Sequence, residues 1–221
     1  MRLTIKNLTK IIDDNIILNA INYTFESGKT YGLSGEKGSG KSVFFRCISG
    51  EEPFNKGHIR LENNDKERKI GYSNVGCVFN DSLIPDLLTG KDFIRFYLMN
   101  HGREYDNDTI LKYMAKVNME EAKATQHIGT YSAAGKNLLQ LLCVYITKPY
   151  LALIEEPENG YDEEEFECFY NIIEELKEES IVIVSSAKEG MIENISDEII
   201  VIKDGELINA DVDLVTLSME D

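Results

Sequence analysis

Apolar positions recur along this chain with two different periods, and the change from one to the other divides it. Between residues 3 and 33 the pattern is alternating and rich in β-branched residues, in Leu3 to Asn7, Ile16 to Phe25 and Thr30 to Leu33. A period of two belongs to strands, so these segments predict an antiparallel β-layer feeding into a short buried strand at Thr30-Tyr31-Gly32-Leu33. Short strands are expected at Gly57 to Leu61 and Lys69 to Tyr72, and a central strand over Val75 to Phe79. From about residue 84 to 148 the spacing becomes three and four. Ile110, Leu111, Met114 and Val117 mark one face of a helix, and Leu138, Leu139, Leu142 and Ile146 mark another. Strand-type runs then return at Leu151 to Ile154 and Ile181 to Val184, with a helix from Glu163 to about Lys177 between them. Phe166, Phe169, Tyr170, Ile173 and Leu176 read as that helix's core face. Glu198 to Lys203 and Glu206 to Asn209 close the pattern as a strand pair around Asp204-Gly205. The whole predicts one α/β domain over residues 1–221: a mostly parallel core sheet, an N-terminal antiparallel β-layer and an inserted helical subdomain at about 84–148.

The candidate chemistry sits where a strand gives way to a helix. Gly35-Glu36-Lys37-Gly38-Ser39-Gly40-Lys41-Ser42 matches G-x-x-x-x-G-K-[ST] at every specified position, after the strand at Thr30 and before a helix expected from Ser42 to Ser49. Small residues let the backbone curl so that successive N–H groups and the positive end of the helix face a phosphate. Lys41 then reaches the β- and γ-phosphates and the Ser42 hydroxyl ligates Mg²⁺. The fold expected is therefore that of a P-loop NTPase. The apolar run Leu151 to Ile154 ends in Glu155-Glu156-Pro157, and carboxylates at the end of a buried parallel strand fall beside such a loop. Glu156 is the candidate to position or deprotonate the attacking water, and Glu155 is expected near the metal.

Composition narrows the partners. Asp and Glu outnumber Lys and Arg by 39 to 23, for a formal charge of −16, which argues against a chain that binds nucleic acid electrostatically. Cys47, Cys77, Cys143 and Cys168 show no C-x-x-C spacing, so reduced, mostly buried thiols of a cytosolic protein are expected rather than a metal site. The first residues, Met1-Arg2-Leu3-Thr4-Ile5, lack the apolar region of a signal peptide, and no apolar run approaches the length of about 20 residues that a membrane span needs.

Taken together, these residues resemble the ATP-binding cassette (ABC) ATPases, the nucleotide-binding subunits of ABC transporters. The resemblance runs over nearly the whole chain: phosphate loop, central strand ending at Asn80, helical insertion, a turn holding Ser132, the strand with Glu155-Glu156-Pro157, then Asn159-Gly160-Tyr161-Asp162, and a strand ending at Ser185-Ser186. It implies ATP and Mg²⁺ as cofactors and a head-to-tail sandwich with a second ABC ATP-binding subunit, as a homo- or heterodimer. It also implies membrane-spanning permease subunits as partners, which would hold the chain at the inner face of the cell membrane. Glu156 stands in the position of the family's catalytic glutamate, Asn80 and Glu155 stand in metal-linked positions, and Ser132 faces the partner's nucleotide. Asp162 matches the aspartate of the loop joining the two sites.

Other positions depart from the family pattern. Its Leu-Ser-Gly-Gly-Gln signature is here Tyr131-Ser132-Ala133-Ala134-Gly135, its loop glutamine is Asn80, and its metal-linked aspartate is Glu155. Ala187 occupies the place of the switch histidine, counted back from Asp197, and Ile12 or Ile11 that of the aromatic which stacks on adenine. An energising transporter subunit is the leading expectation. Two alternatives are a regulatory subunit that binds ATP and turns it over slowly, and a soluble P-loop ATPase or phosphotransferase outside transport.

Overall fold

A computed structural model describes residues 1–64, 66–71, 73–79, 84–157, 160–186 and 189–210. Asn80, Asn159 and Ala187 lie outside the described residues.

Two sheets form the frame. The six-stranded one has the order β10-β9-β3-β8-β7-β6, built from Thr30–Ser34 (β3), Val75–Val78 (β6), Leu151–Glu155 (β7), Ile181–Ser185 (β8), Glu198–Lys203 (β9) and Glu206–Asn209 (β10). Its pairings are parallel except for the β9–β10 hairpin. Every residue of β7 and β8 is buried, because the sheet is covered on both sides. Leu151, Leu153, Ile181 and Ile183 point into one core, while Ala152, Ile154, Val182 and Val184 point into the other.

The first core is closed by the second sheet, Arg2–Ile12 (β1), Asn15–Glu26 (β2), Lys56–Asn63 (β4) and Lys66–Arg68 (β5), in the order β2-β1-β4-β5. Leu3, Ile5, Leu8, Leu18, Ile21, Phe25 and Leu61 of this layer pack with Phe44, Phe45 and Ile48 of the helix Lys41–Ser49 (α1). The opposite face carries the helices between β6 and β7, namely Gly90–Asn100 (α2), Asn107–Ala115 (α3), Glu121–Ala124 (α4) and Ala133–Thr147 (α5). Glu163–Lys177 (α6) packs there as well, and Glu189–Ile195 (α7) lies against β3.

Ile110, Met114 and Val117, and Leu138, Leu139, Leu142 and Ile146, are buried in the helical core as their spacing predicts, whereas Leu111 is half-buried. Three expectations need correction. The strand expected at Lys69 to Tyr72 forms at Lys66–Arg68 instead, where pairing with β4 decides and hydrophobicity does not; Gly71 then bends the chain and accepts from the N–H groups of Asn74 and Val75. Tyr72 lies outside the described residues. Among the described residues Val75–Val78 is an edge strand that pairs with β7 alone, so its apolar character reflects cover by α5: a Cβ on Gly76 would come 2.8 Å from the Val144 side chain. On α6 the core face is Cys168, Phe169, Ile172, Ile173 and Leu176, while Tyr170 is exposed, a shift of one residue around the helix from the face expected.

Candidate functional site

The phosphate loop leaves the C-terminal end of β3, a strand flanked by β8 and β9, and enters α1. Its backbone demands glycine: Gly38 and Gly40 have φ of 87° and 104°, and a Cβ on Gly35 would stand 2.7 Å from the Ile202 carbonyl. Gly40 sits at the N-cap of α1 without a side chain that accepts from the helix, and the first turn holds no acidic residue. The first-turn N–H groups and the positive helix end are therefore left for an anion. Lys41 is buried, and its Nζ donates to the carbonyls of Gly35 at 2.5 Å and Glu36 at 3.0 Å. It is folded back over the loop it serves. The buried Ser39 Oγ has no hydrogen-bond partner among the described residues, a polar atom that a phosphate oxygen would satisfy.

Beyond this loop, β8 lies next to β3 and β7 next to β8, so the carboxylates at the end of β7 come to the same edge of the sheet. Glu155 is buried, in register with Ser185. Glu156 turns out of the strand at φ 41°, its N–H donating to the Ser185 carbonyl at 2.8 Å. A cavity of about 550 Å³ is lined by Ile12, Ile17, Lys37, Gly38, Gly40, Lys41, Ser42, Val43 and Glu156. It brings together the loop, Glu156 and Ile12 of the predicted set. A second cavity of about 560 Å³ lies on the loop's other side, between Ser34 to Ser39 and Val201 to Asp204. The Ser42 hydroxyl and the Glu155 carboxylate offer the kind of oxygen that suits Mg²⁺, which takes one or two protein oxygens and completes its shell with phosphate and water.

Ser132 is elsewhere. It caps α5, its Oγ accepting from the Gly135 N–H at 2.9 Å, and lines a different pocket with Tyr131, Lys123 and Gln126. Ala134 is buried and Ala133 exposed, so of the two methyl groups that depart from the glycines only that of Ala133 lies at the surface. Asp162 caps α6 in a reciprocal pair with Glu165. Asp197 accepts from the Thr30 N–H at 2.8 Å and from Lys177 at 3.3 Å. Sequence reasoning missed Ile17 and Val43, which line the loop's cavity. A groove of about 430 Å³ between β6 and the helical layer is lined among others by Glu51, Cys77, Ile84, Phe93, Tyr97 and Cys143. Burial pushes the Cys77 thiol up to about 12 and raises that of Cys143 also, so both stay protonated and inert at neutral pH.

A glycine-rich loop between a parallel strand and a helix, with carboxylates at the end of a second parallel strand two places along the sheet, defines a P-loop nucleotide-binding α/β domain. Residues 18–159 match the family model described as ABC transporter, and the chain belongs to that family as one of its ATP-binding cassettes. It is 30% identical over 192 residues to the uncharacterized ABC transporter ATP-binding protein YybJ of Bacillus subtilis (strain 168), covering 84% of this chain and 86% of that one. It is 28% identical to the lantibiotic transport ATP-binding protein SrtF of Streptococcus pyogenes, over 93% of this chain and 89% of the relative. The chain spans 43% of the galactose/methyl galactoside import ATP-binding protein MglA of Treponema denticola, to which it is 24% identical. The fold superimposes on a solved ATP-binding subunit of an ABC transporter with a TM-score of 0.83 at 18% identity, covering 100% of this chain and 94% of that one. It matches a dimeric bacterial ABC transporter cassette with a TM-score of 0.77 at 20% identity, over 93% of this chain and 96% of that one.

Proposed function

We propose that this chain is the ATP-hydrolysing subunit of an ABC transporter and that it works as a pair of cassettes, each closing on ATP against the other. The observation that carries this reading is the single cavity shared by Lys41, Ser42 and Glu156. In it Lys41 exchanges the Gly35 and Glu36 carbonyls for the β- and γ-phosphates. The N–H groups of Gly38 to Lys41, at the positive end of α1, hold the phosphate chain. Ser42 and Glu155 would hold Mg²⁺, with Asn80 as the third expected contributor; the ion, when bound, would neutralise charge on the phosphate chain. Glu156 orients the water and takes its proton. Ser132, outside this cavity, meets the nucleotide of the second cassette.

No helix among the described residues is long and apolar enough to cross a membrane. On this reading membrane-spanning subunits dock in the groove lined by Phe93, Tyr97 and Ile84 and hold the chain at the inner membrane face. The transport roles in the names of YybJ, SrtF and MglA support this assignment. Phosphate release by the wild-type chain with Mg²⁺ and ATP tests it. Glu156→Gln is expected to cut the rate about 10²-fold or more while ATP affinity stays within about threefold, and Lys41→Ala is expected to lose ATP binding. A Glu156→Gln rate equal to wild type overturns the assignment of the base.

A further inference from the structure

Resting on the reading of Glu155 as a carboxylate on the Mg²⁺ side of the site, we propose that Ser185 is its positioning residue: with metal and nucleotide bound, the Ser185 hydroxyl donates to one Glu155 oxygen and leaves the other free for the ion's shell. Ser185 ends β8, between the strand that feeds the phosphate loop and the strand that carries the carboxylates. It stands in register with Leu33 on one side and Glu155 on the other. Side chains alternate along a strand, and Leu151, Leu153, Ile181 and Ile183 lie in the core shared with α1. Glu155 and Ser185 continue those two series. Both side chains therefore emerge on the face where Lys41 and Ser42 open α1, from strands about 4.8 Å apart.

The backbone of Ser185 is already committed to this corner of the sheet. Its carbonyl accepts from the Glu156 N–H at 2.8 Å, and the next N–H, that of Ser186, donates to the Leu33 carbonyl at 3.2 Å. The side chain is not committed. Ser185 is fully buried, and its Oγ has no hydrogen-bond partner among the described residues. A buried hydroxyl that bonds to nothing destabilises a fold by as much as a made hydrogen bond contributes, so its presence here calls for a partner supplied when the site fills. The Thr30 Oγ1 is unpartnered too, but Thr30 lies at the other end of the sheet, where β3 begins. Glu155 supplies the need. Glutamate has one more rotatable bond than the aspartate it replaces in the family pattern, and holding a longer carboxylate in one rotamer costs entropy that a fixed, charge-assisted donor offsets. A methyl group in place of the hydroxyl would fill similar space and give no such hold.

Titration of Mn²⁺, a paramagnetic stand-in for Mg²⁺, into the full chain saturated with the non-hydrolysable β,γ-imido analogue of ATP tests this, with free Mn²⁺ read by electron paramagnetic resonance. Ser185→Ala is expected to weaken metal binding about tenfold or more, while affinity for the analogue in EDTA stays within about twofold. Without ligand, the same variant is expected to resist urea as well as wild type or better, since it loses an unpartnered hydroxyl. In a Glu155→Ala background, Ser185→Ala is expected to change metal binding by less than about twofold, because the hydroxyl acts through the carboxylate. An unchanged metal affinity in Ser185→Ala overturns the proposal. So does a loss of about tenfold on top of Glu155→Ala, and so does a ligand-free Ser185→Ala chain less stable than wild type, which marks a structural hydroxyl. Wild-type metal affinity in Glu155→Ala alone instead overturns the placing of Glu155 beside the metal, and absence of analogue binding by the wild-type chain overturns the phosphate-loop reading.

Discussion

Glu156 combines two demands that the backbone resists. Its φ of 41° lies in the left-handed region, which costs a residue bearing a Cβ about 1 kcal/mol or more, and it directly precedes Pro157, whose ring restricts the residue before it. The N–H bond to Ser185 holds it there, so β8 aims the carboxylate. Glu156→Gly is therefore expected to be more stable than Glu156→Ala by about 1 kcal/mol, with neither releasing phosphate; chemical denaturation and a phosphate assay check the two halves. Lys41 shows a related economy. Its ammonium is satisfied by two loop carbonyls, which a phosphate must displace. Gly35→Ala is expected to abolish nucleotide binding and lower stability, because the added methyl meets the Ile202 carbonyl.

At the scale of elements, one carboxylate ties the two sheets together. Glu198 on β9 accepts from Tyr23 of β2 at 2.5 Å, from Lys29 just before β3 at 2.6 Å and from Asn209 of β10 at 3.2 Å. Burial alone would lift its carboxyl, but the bonds from Lys29 and Tyr23 prevail and hold it below the usual carboxylate range. A lowered carboxylate contributes stability above its unfolded pKa and loses it as pH falls through the folded value. Glu198→Gln is thus expected to cost about 1–2 kcal/mol at pH 7, with the difference fading below about pH 4, as thermal melts across pH will show. Ser132→Ala removes the cap of α5 and is expected to cost about 1 kcal/mol. Much at this scale was legible in the chain. The spans of α6, β9 and β10 follow from periodicity, and the phosphate loop from its spacing. What was not legible depends on register. Ile17 lines the loop's cavity from a bulge, the extra β2 residue between the pairs Lys10–Leu18 and Ile11–Ile16, that no alternation encodes; β5 forms where β4 offers a partner, and β6 owes its apolar residues to a helix packed on a sheet edge.

The whole molecule carries a formal charge of −16, and a second copy carries the same. Two such chains repel at long range, an effect that salt screens within about 10 Å at about 0.1 M. The ATP-bound Glu156→Gln chain is therefore expected to form more dimer as NaCl rises from about 50 mM to about 300 mM, measured by sedimentation velocity; a dimer that dissociates with salt would show that local ion pairs outweigh net charge. Gly40 and Gly205 leave room for the Ile17 carbonyl, which a Cβ on either would approach to 3.3 Å and 2.8 Å, and the Asn19 N–H donates to the Gly205 carbonyl at 2.8 Å; this has a consequence in time as well as in space. Ile17 and Gly40 are made early, but the glycine that pins the bulge from the other side is made 188 residues after Ile17. On the ribosome the phosphate loop can curl long before the wall beside it is braced, so the emerging chain gains its full grip on a nucleoside only when the final hairpin has been delivered.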